Sequence, residues 1–110
     1  ETNHKVDNKF ENISDISNFL KLNTKLNHNK SILIFNKVPE VNAISKNKIN
    51  EWINNALVRA EKNKINGKEL TPFLIKEINN FSNNKTLKAN VSLIINNANL
   101  AGKIAKNFYS

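Results

Sequence analysis

Two carboxamides, Asn90 and Asn97, stand where the surrounding pattern calls for apolar side chains. At about 100° per residue, the stretch from Thr86 to Phe108 reads as a helix. Its apolar arc centres on Leu87, Val91, Ile94, Ala98, Ala101, Ala105 and Phe108. Leu93, Leu100 and Ile104 widen the arc on one side and Ile95 on the other, while Asn90 and Asn97 lie between the central row and the Leu93 row. A carboxamide donates and accepts at once, so it can read the edge of a nucleobase. Buried without partners it costs on the order of 1–3 kcal/mol. Each therefore needs a polar ligand or a neighbouring backbone group, and spacing alone leaves both uses open.

Few other residues offer chemistry. The absence of cysteine rules out a disulfide framework, a thiolate metal site and a thiol nucleophile. His4 and His28 are far apart in sequence, which argues against a histidine-rich metal site. Sixteen lysines and a single arginine, Arg59, outweigh nine acidic residues and leave a formal charge of +8. A basic stripe is the footprint of phosphate binding, yet these lysines are spread over the whole chain. The joint richness in Lys, Asn and Ile is also what an AT-biased coding sequence produces. Solvated surface lysine is the preferred reading; a small basic helical nucleic-acid-binding module is the alternative from another class.

The elements that must position the amides follow from periodicity and punctuation. A hydrophobic fraction of 39% supports a modest core in one domain spanning residues 1–110. A first helix runs from Ser14 or Asp15 to about Asn27, with Ile16, Phe19, Leu20 and Leu26 on one face. Ile32-Leu33-Ile34-Phe35 is short, continuously apolar and bounded by polar residues, which predicts a strand buried on both faces. Ser45 caps a long helix to about Lys64, where Ile49, Trp52, Ile53, Ala56, Leu57 and Ala60 share one face. Thr71-Pro72 reads as a capping hydroxyl followed by a first-turn proline, opening a helix that ends in Ser82-Asn83-Asn84. Thr86 reads as the cap of the last helix.

About four helices and one buried strand make an odd inventory. A lone strand cannot satisfy its own backbone donors and acceptors. With a chain that opens on Glu1 rather than methionine, this predicts the mostly helical C-terminal segment of a larger α/β protein. A helical domain with Ile32–Phe35 as a buried connector is the competing reading. The longest apolar run is those four residues, far short of the ~20 that a transmembrane helix needs. No secretory signal opens the chain, so a cytoplasmic location without membrane contact is expected.

Three ordered segments carry a resemblance. The run Ile65-Asn66-Gly67-Lys68-Glu69-Leu70-Thr71-Pro72-Phe73-Leu74 resembles the I-x-G-K-x-x-T-P-F-L segment of the pseudouridine-5'-phosphate glycosidase family, which includes indigoidine-synthase-A-like proteins. The run from Lys85 to Ala98 is similar to its S-L-x-x-N-I-x-L-x-x-N-N-A ending, and Asn36-Lys37-Val38-Pro39-Glu40 is similar to its N-P-[IV]-P-E loop. Lys37 stands where the family has proline, and Asn83-Asn84 where it has Gly-Gly. The resemblance covers about the last third of a family member.

It implies an α/β/α enzyme, usually a homotrimer, that reversibly splits the C–C glycosidic bond of pseudouridine 5'-phosphate into uracil and ribose 5-phosphate. In the family a lysine forms an imine with the opened ribose and a manganese ion assists. A C-glycoside offers no leaving heteroatom, which is why a covalent electron sink is needed. Those residues belong to the upstream two-thirds, so the resemblance places neither catalytic residues nor metal ligands here, and this segment alone is expected to be inactive. It implies a base-contacting role for Asn90 and a supporting role for Asn96 and Asn97, with Asn97 facing inward. A non-catalytic remnant of the same family is the remaining alternative.

Overall fold

Asn12 opens the first helix, α1 (Ile13–Lys25): its Oδ1 accepts the Asp15 N–H at 2.9 Å while its Nδ2 donates to the Asp15 carboxylate. This reciprocal cap satisfies donors that no helical carbonyl can reach. The computed structural model describes residues 4–26 and 30–110, so Asn27, the expected end of this helix, lies outside the described residues. Three more helices follow, α2 (Lys46–Lys62), α3 (Leu70–Phe81) and α4 (Lys85–Phe108), with single 3-10 turns at Glu40–Asn42 and Gly67–Glu69. The chain divides into two compact units, Val38–Leu93 and Glu1–Lys37 with Ile94–Ser110.

In the Val38–Leu93 unit, Ser45 caps α2 as expected, its hydroxyl accepting the Lys48 N–H. Most of the expected apolar face of α2 turns inward: Ala56 and Ala60 are buried and Ile49, Trp52 and Ile53 half-buried, whereas Leu57, expected on the same face, is exposed. Small side chains at 56 and 60 let the backbones come close, and α2 packs on α3. The helix closes through Lys64 in the left-handed region (φ 55°), with Lys64 N–H on Glu61 O and Ile65 N–H on Ala60 O. That pair of bonds is a Schellman closure. Gly67 then takes a left-handed φ of 58°, where a Cβ is disfavoured.

Helix α3 departs from the expected start. It begins at Leu70 on the 3-10 turn Gly67–Glu69, its cap position is Glu69, and no side chain caps it. Thr71 is exposed inside the first turn and Pro72 follows it, so the preceding turn, rather than the threonine hydroxyl, starts this helix. In the other unit, Ile16 and Ser17 are buried and Phe19 and Leu20 half-buried, matching the expected inner face. Phe10 meets Phe19 with ring centroids 5.3 Å apart. Leu26, expected on the same face, is exposed.

The buried strand is not formed. Among the described residues there is no strand at all, and residues 30–39 run as irregular backbone. Leu33 is 81% and Phe35 74% exposed. A strand exists only through hydrogen bonds exchanged with a neighbour, and no second strand is on hand to exchange them. Among the described residues the apolar run lacks the partner that would make it a strand. The segment is a connector, though not the buried one of the competing reading, and the described architecture is helical.

Candidate functional site

The end of α3 and the start of α4 form a tight junction that sets where the amide-bearing helix points. Ser82 closes α3, and Asn83 and Asn84 both take left-handed φ, 52° and 62°. Asparagine tolerates that region better than most residues, so the amides do the work expected of Gly-Gly. Asn83 N–H donates to Asn80 O and Asn84 N–H to Asn79 O, a second Schellman closure.

Side chains then lock the junction. The Thr86 hydroxyl donates to Asn79 Oδ1 at 2.6 Å and lies 3.0 Å from Ser82 Oγ. Ser82 Oγ also accepts the Thr86 N–H at 3.3 Å and is 3.2 Å from the Asn79 carbonyl. Thr86 is therefore not the cap of α4. It sits within the first turn, and buried Ser82 supplies the capping oxygen. Periodicity gives Asn79 no mark and Ser82 only a place at the helix end; their joint signal is the spacing Asn79-x-x-Ser82-x-x-x-Thr86, which brackets a turn.

Helix α4 turns a different side to the protein than its apolar arc predicts. Ile104 is buried, and Ala89, Leu93, Asn96 and Leu100 are half-buried. The central row faces outward: Leu87 is 48%, Val91 47% and Ile94 60% exposed. Asn90 and Asn97 lie between the two rows, as their spacing requires, and both are exposed. Asn97 thus does not face inward. Asn96 does, and its Nδ2 donates to the Lys37 carbonyl at 3.3 Å. In the other unit Asn42 Nδ2 donates to Ser92 Oγ at 2.9 Å, fastening the turn that follows Pro39 to α4.

What this arrangement offers chemically is recognition. Asn90 presents a donor and an acceptor beside exposed Leu87 and Val91, the surroundings suited to a flat heterocycle with apolar faces and a polar edge. Among the described residues no three His, Cys, Asp or Glu side chains gather to hold a metal ion. Displaced pKa values occur at an exposed pair, Lys9 and Glu11, 2.8 Å apart. The hydrogen bond and charge of Glu11 raise Lys9, and those of Lys9 lower Glu11. Neither group belongs to the site. No helix of the described residues is long and apolar enough to cross a membrane.

The family model for indigoidine synthase A like protein matches residues 1–107, and the chain belongs to that family. Curated relatives are named pseudouridine-5'-phosphate glycosidase. The Kosmotoga olearia protein is 38% identical over 105 residues, covering 96% of this chain and 36% of the relative. The Brachyspira hyodysenteriae protein is 35% identical over 108 residues, 98% of this chain and 35% of the relative. The Petrotoga mobilis protein is 39% identical over 100 residues, 91% of this chain and 33% of the relative. The chain thus spans about a third of the length of the relatives it matches.

Proposed function

We propose that this chain is the C-terminal part of a pseudouridine-5'-phosphate glycosidase of α/β/α architecture. The reaction is the reversible, water-consuming cleavage of pseudouridine 5'-phosphate to uracil and ribose 5-phosphate. The observation that carries the reading is the similarity to relatives of that name over nearly the whole chain. In this reading the chain supplies the base side of the site. Asn90 accepts a ring N–H at Oδ1 and donates from Nδ2 to the adjacent carbonyl of uracil. Cleavage leaves electron density on the ring that spreads to its carbonyl oxygens, so a fixed donor there gains strength as the bond breaks.

Asn96 supports the helix through the Lys37 carbonyl, and exposed Asn97 stands ready for a similar supporting contact. The imine-forming lysine and any manganese ligands belong to the part of the enzyme outside this chain, as does a homotrimer's remaining surface. A cytoplasmic location fits a nucleotide substrate. The test is to supply the intact protein with pseudouridine 5'-phosphate and follow uracil release. No release by a folded, metal-supplemented protein sinks the activity and leaves the non-catalytic family member.

A further inference from the structure

We propose that Thr86 is a positioning residue for base recognition, acting through Asn90 and itself held by Asn79. The inference rests on the base-contacting role of Asn90 given above. Thr86 and Asn90 are four residues apart on α4, so they stack on one stripe of the helix. A helical side chain covers the turn before its own Cα, which brings the Asn90 amide over the turn that holds Thr86. Whatever fixes that turn fixes the direction of the amide.

The protons can be accounted for. Thr86 Oγ1 has one hydrogen, given to Asn79 Oδ1 at 2.6 Å. Ser82 gives its own to Thr86 Oγ1 or to the Asn79 carbonyl, while its oxygen takes the Thr86 N–H. The Thr86 hydroxyl thereby joins the last turn of α3 to the first turn of α4 across two left-handed residues. Such a junction needs a lock, because left-handed asparagines alone leave several helix–helix angles open. A misplacement of about 1 Å at a reacting geometry can cost as much as 100-fold. The hydroxyl therefore serves recognition as well as folding.

The experiment measures the reverse reaction of the intact enzyme, with uracil and ribose 5-phosphate varied separately. Thr86→Val keeps the shape and removes the hydroxyl. It should raise the KM for uracil roughly 10-fold and leave that for ribose 5-phosphate unchanged, and Thr86→Ser should restore the uracil value. In an Asn90→Leu background Thr86→Val should add nothing, since it acts through the same amide. Should Thr86→Val fail to fold, Asn79→Leu removes the acceptor from the other side and should give the same uracil-specific defect. A defect in Asn90→Leu without one in Thr86→Val overturns the positioning role and leaves the base reading standing. Equal loss for both substrates, or full additivity of the two changes, also overturns it. An Asn90→Leu enzyme with normal uracil kinetics removes the base reading, and the positioning role falls with it.

Discussion

Arg59 Nη1 stands 2.6 Å from Glu77 Oε2, an ion pair that ties α2 to α3. Glu77 is 7% exposed, whereas the Arg59 side chain is 55% exposed and lies 5.8 Å from the centroid of the Phe81 ring. Glu77 Oε2 is buried and finds its counter-charge in Arg59. A carboxylate this deep depends on its partner. Arg59→Ala should cost about 1–3 kcal/mol, the penalty of an unsatisfied buried group, with solvent at the arginine end holding it below the value for a fully buried pair. Pairing Arg59→Met with Glu77→Leu should recover most of that loss. Urea denaturation of the three proteins checks it, and an unchanged midpoint for Arg59→Ala would show that water already satisfies Glu77.

Of the three hydroxyl caps expected from sequence, Ser45 and Thr71 part company in the structure. Ser45→Ala removes the hydroxyl that accepts the Lys48 N–H at 3.4 Å, and that length places the cost near the lower end of the usual range, about 0.5–1 kcal/mol. Thr71 is exposed and caps nothing, so Thr71→Ala should stay within about 0.5 kcal/mol of the parent. Denaturation midpoints decide, and a larger loss at Thr71 than at Ser45 would reverse the assignment.

Among the described residues the buried apolar side chains are Ile16, Ala56, Ala60 and Ile104, while Leu33, Phe35, Val41, Val58, Leu87 and Ile94 are among those left exposed. Burial at ~25 cal/mol per Å² is the main offset to chain entropy, and here much of it is unrealised. The 110 residues produced alone should therefore melt over a broad range, bind a hydrophobic dye and self-associate as concentration rises. Calorimetry with sedimentation checks this; a sharp two-state transition from a monomer would contradict it.

How legible the molecule is in its sequence depends on where each element finds its partner. Helix α2 was readable because its face, its cap at Ser45 and its neighbour α3 all lie within the chain. Ile32–Phe35 departs from the expected strand because four apolar residues specify a need for neighbours, not their presence. The buried face of α4 departs from the pattern for the same reason: Leu87, Val91 and Ile94 are the more apolar row, yet burial follows what is available to pack, and that falls on the Leu93 and Leu100 side. The position of Asn90 between two rows was legible, since 100° per residue fixes it. The Asn79–Ser82–Thr86 lock was not, because it depends on two successive left-handed residues that periodicity does not report.

Asn90 carries the heaviest functional claim, and its exposure makes the claim easy to separate from folding. Asn90 is exposed on α4 and makes no side-chain hydrogen bond among the described residues, so Asn90→Leu should leave the denaturation midpoint nearly unchanged. Leucine is also the better helix former. In the proposed base contact, the same change strips the uracil edge of its donor and acceptor and leaves the ring's polar groups facing an apolar side chain. A loss above ~1.4 kcal/mol corresponds to roughly a 10-fold or greater fall in kcat/KM. Because a donor to the uracil carbonyl gains strength as the bond breaks, part of the fall should appear in kcat as well as in KM. Asn90→Asp is the sharper companion: it keeps an acceptor for the ring N–H but loses the donor, and it sets a charge where electron density is building, so it should be at least as impaired as leucine. Steady-state kinetics beside a denaturation curve for both variants decides the matter. Stability lost with kinetics per folded molecule intact would make Asn90 a structural residue and remove the base side of the site from this chain.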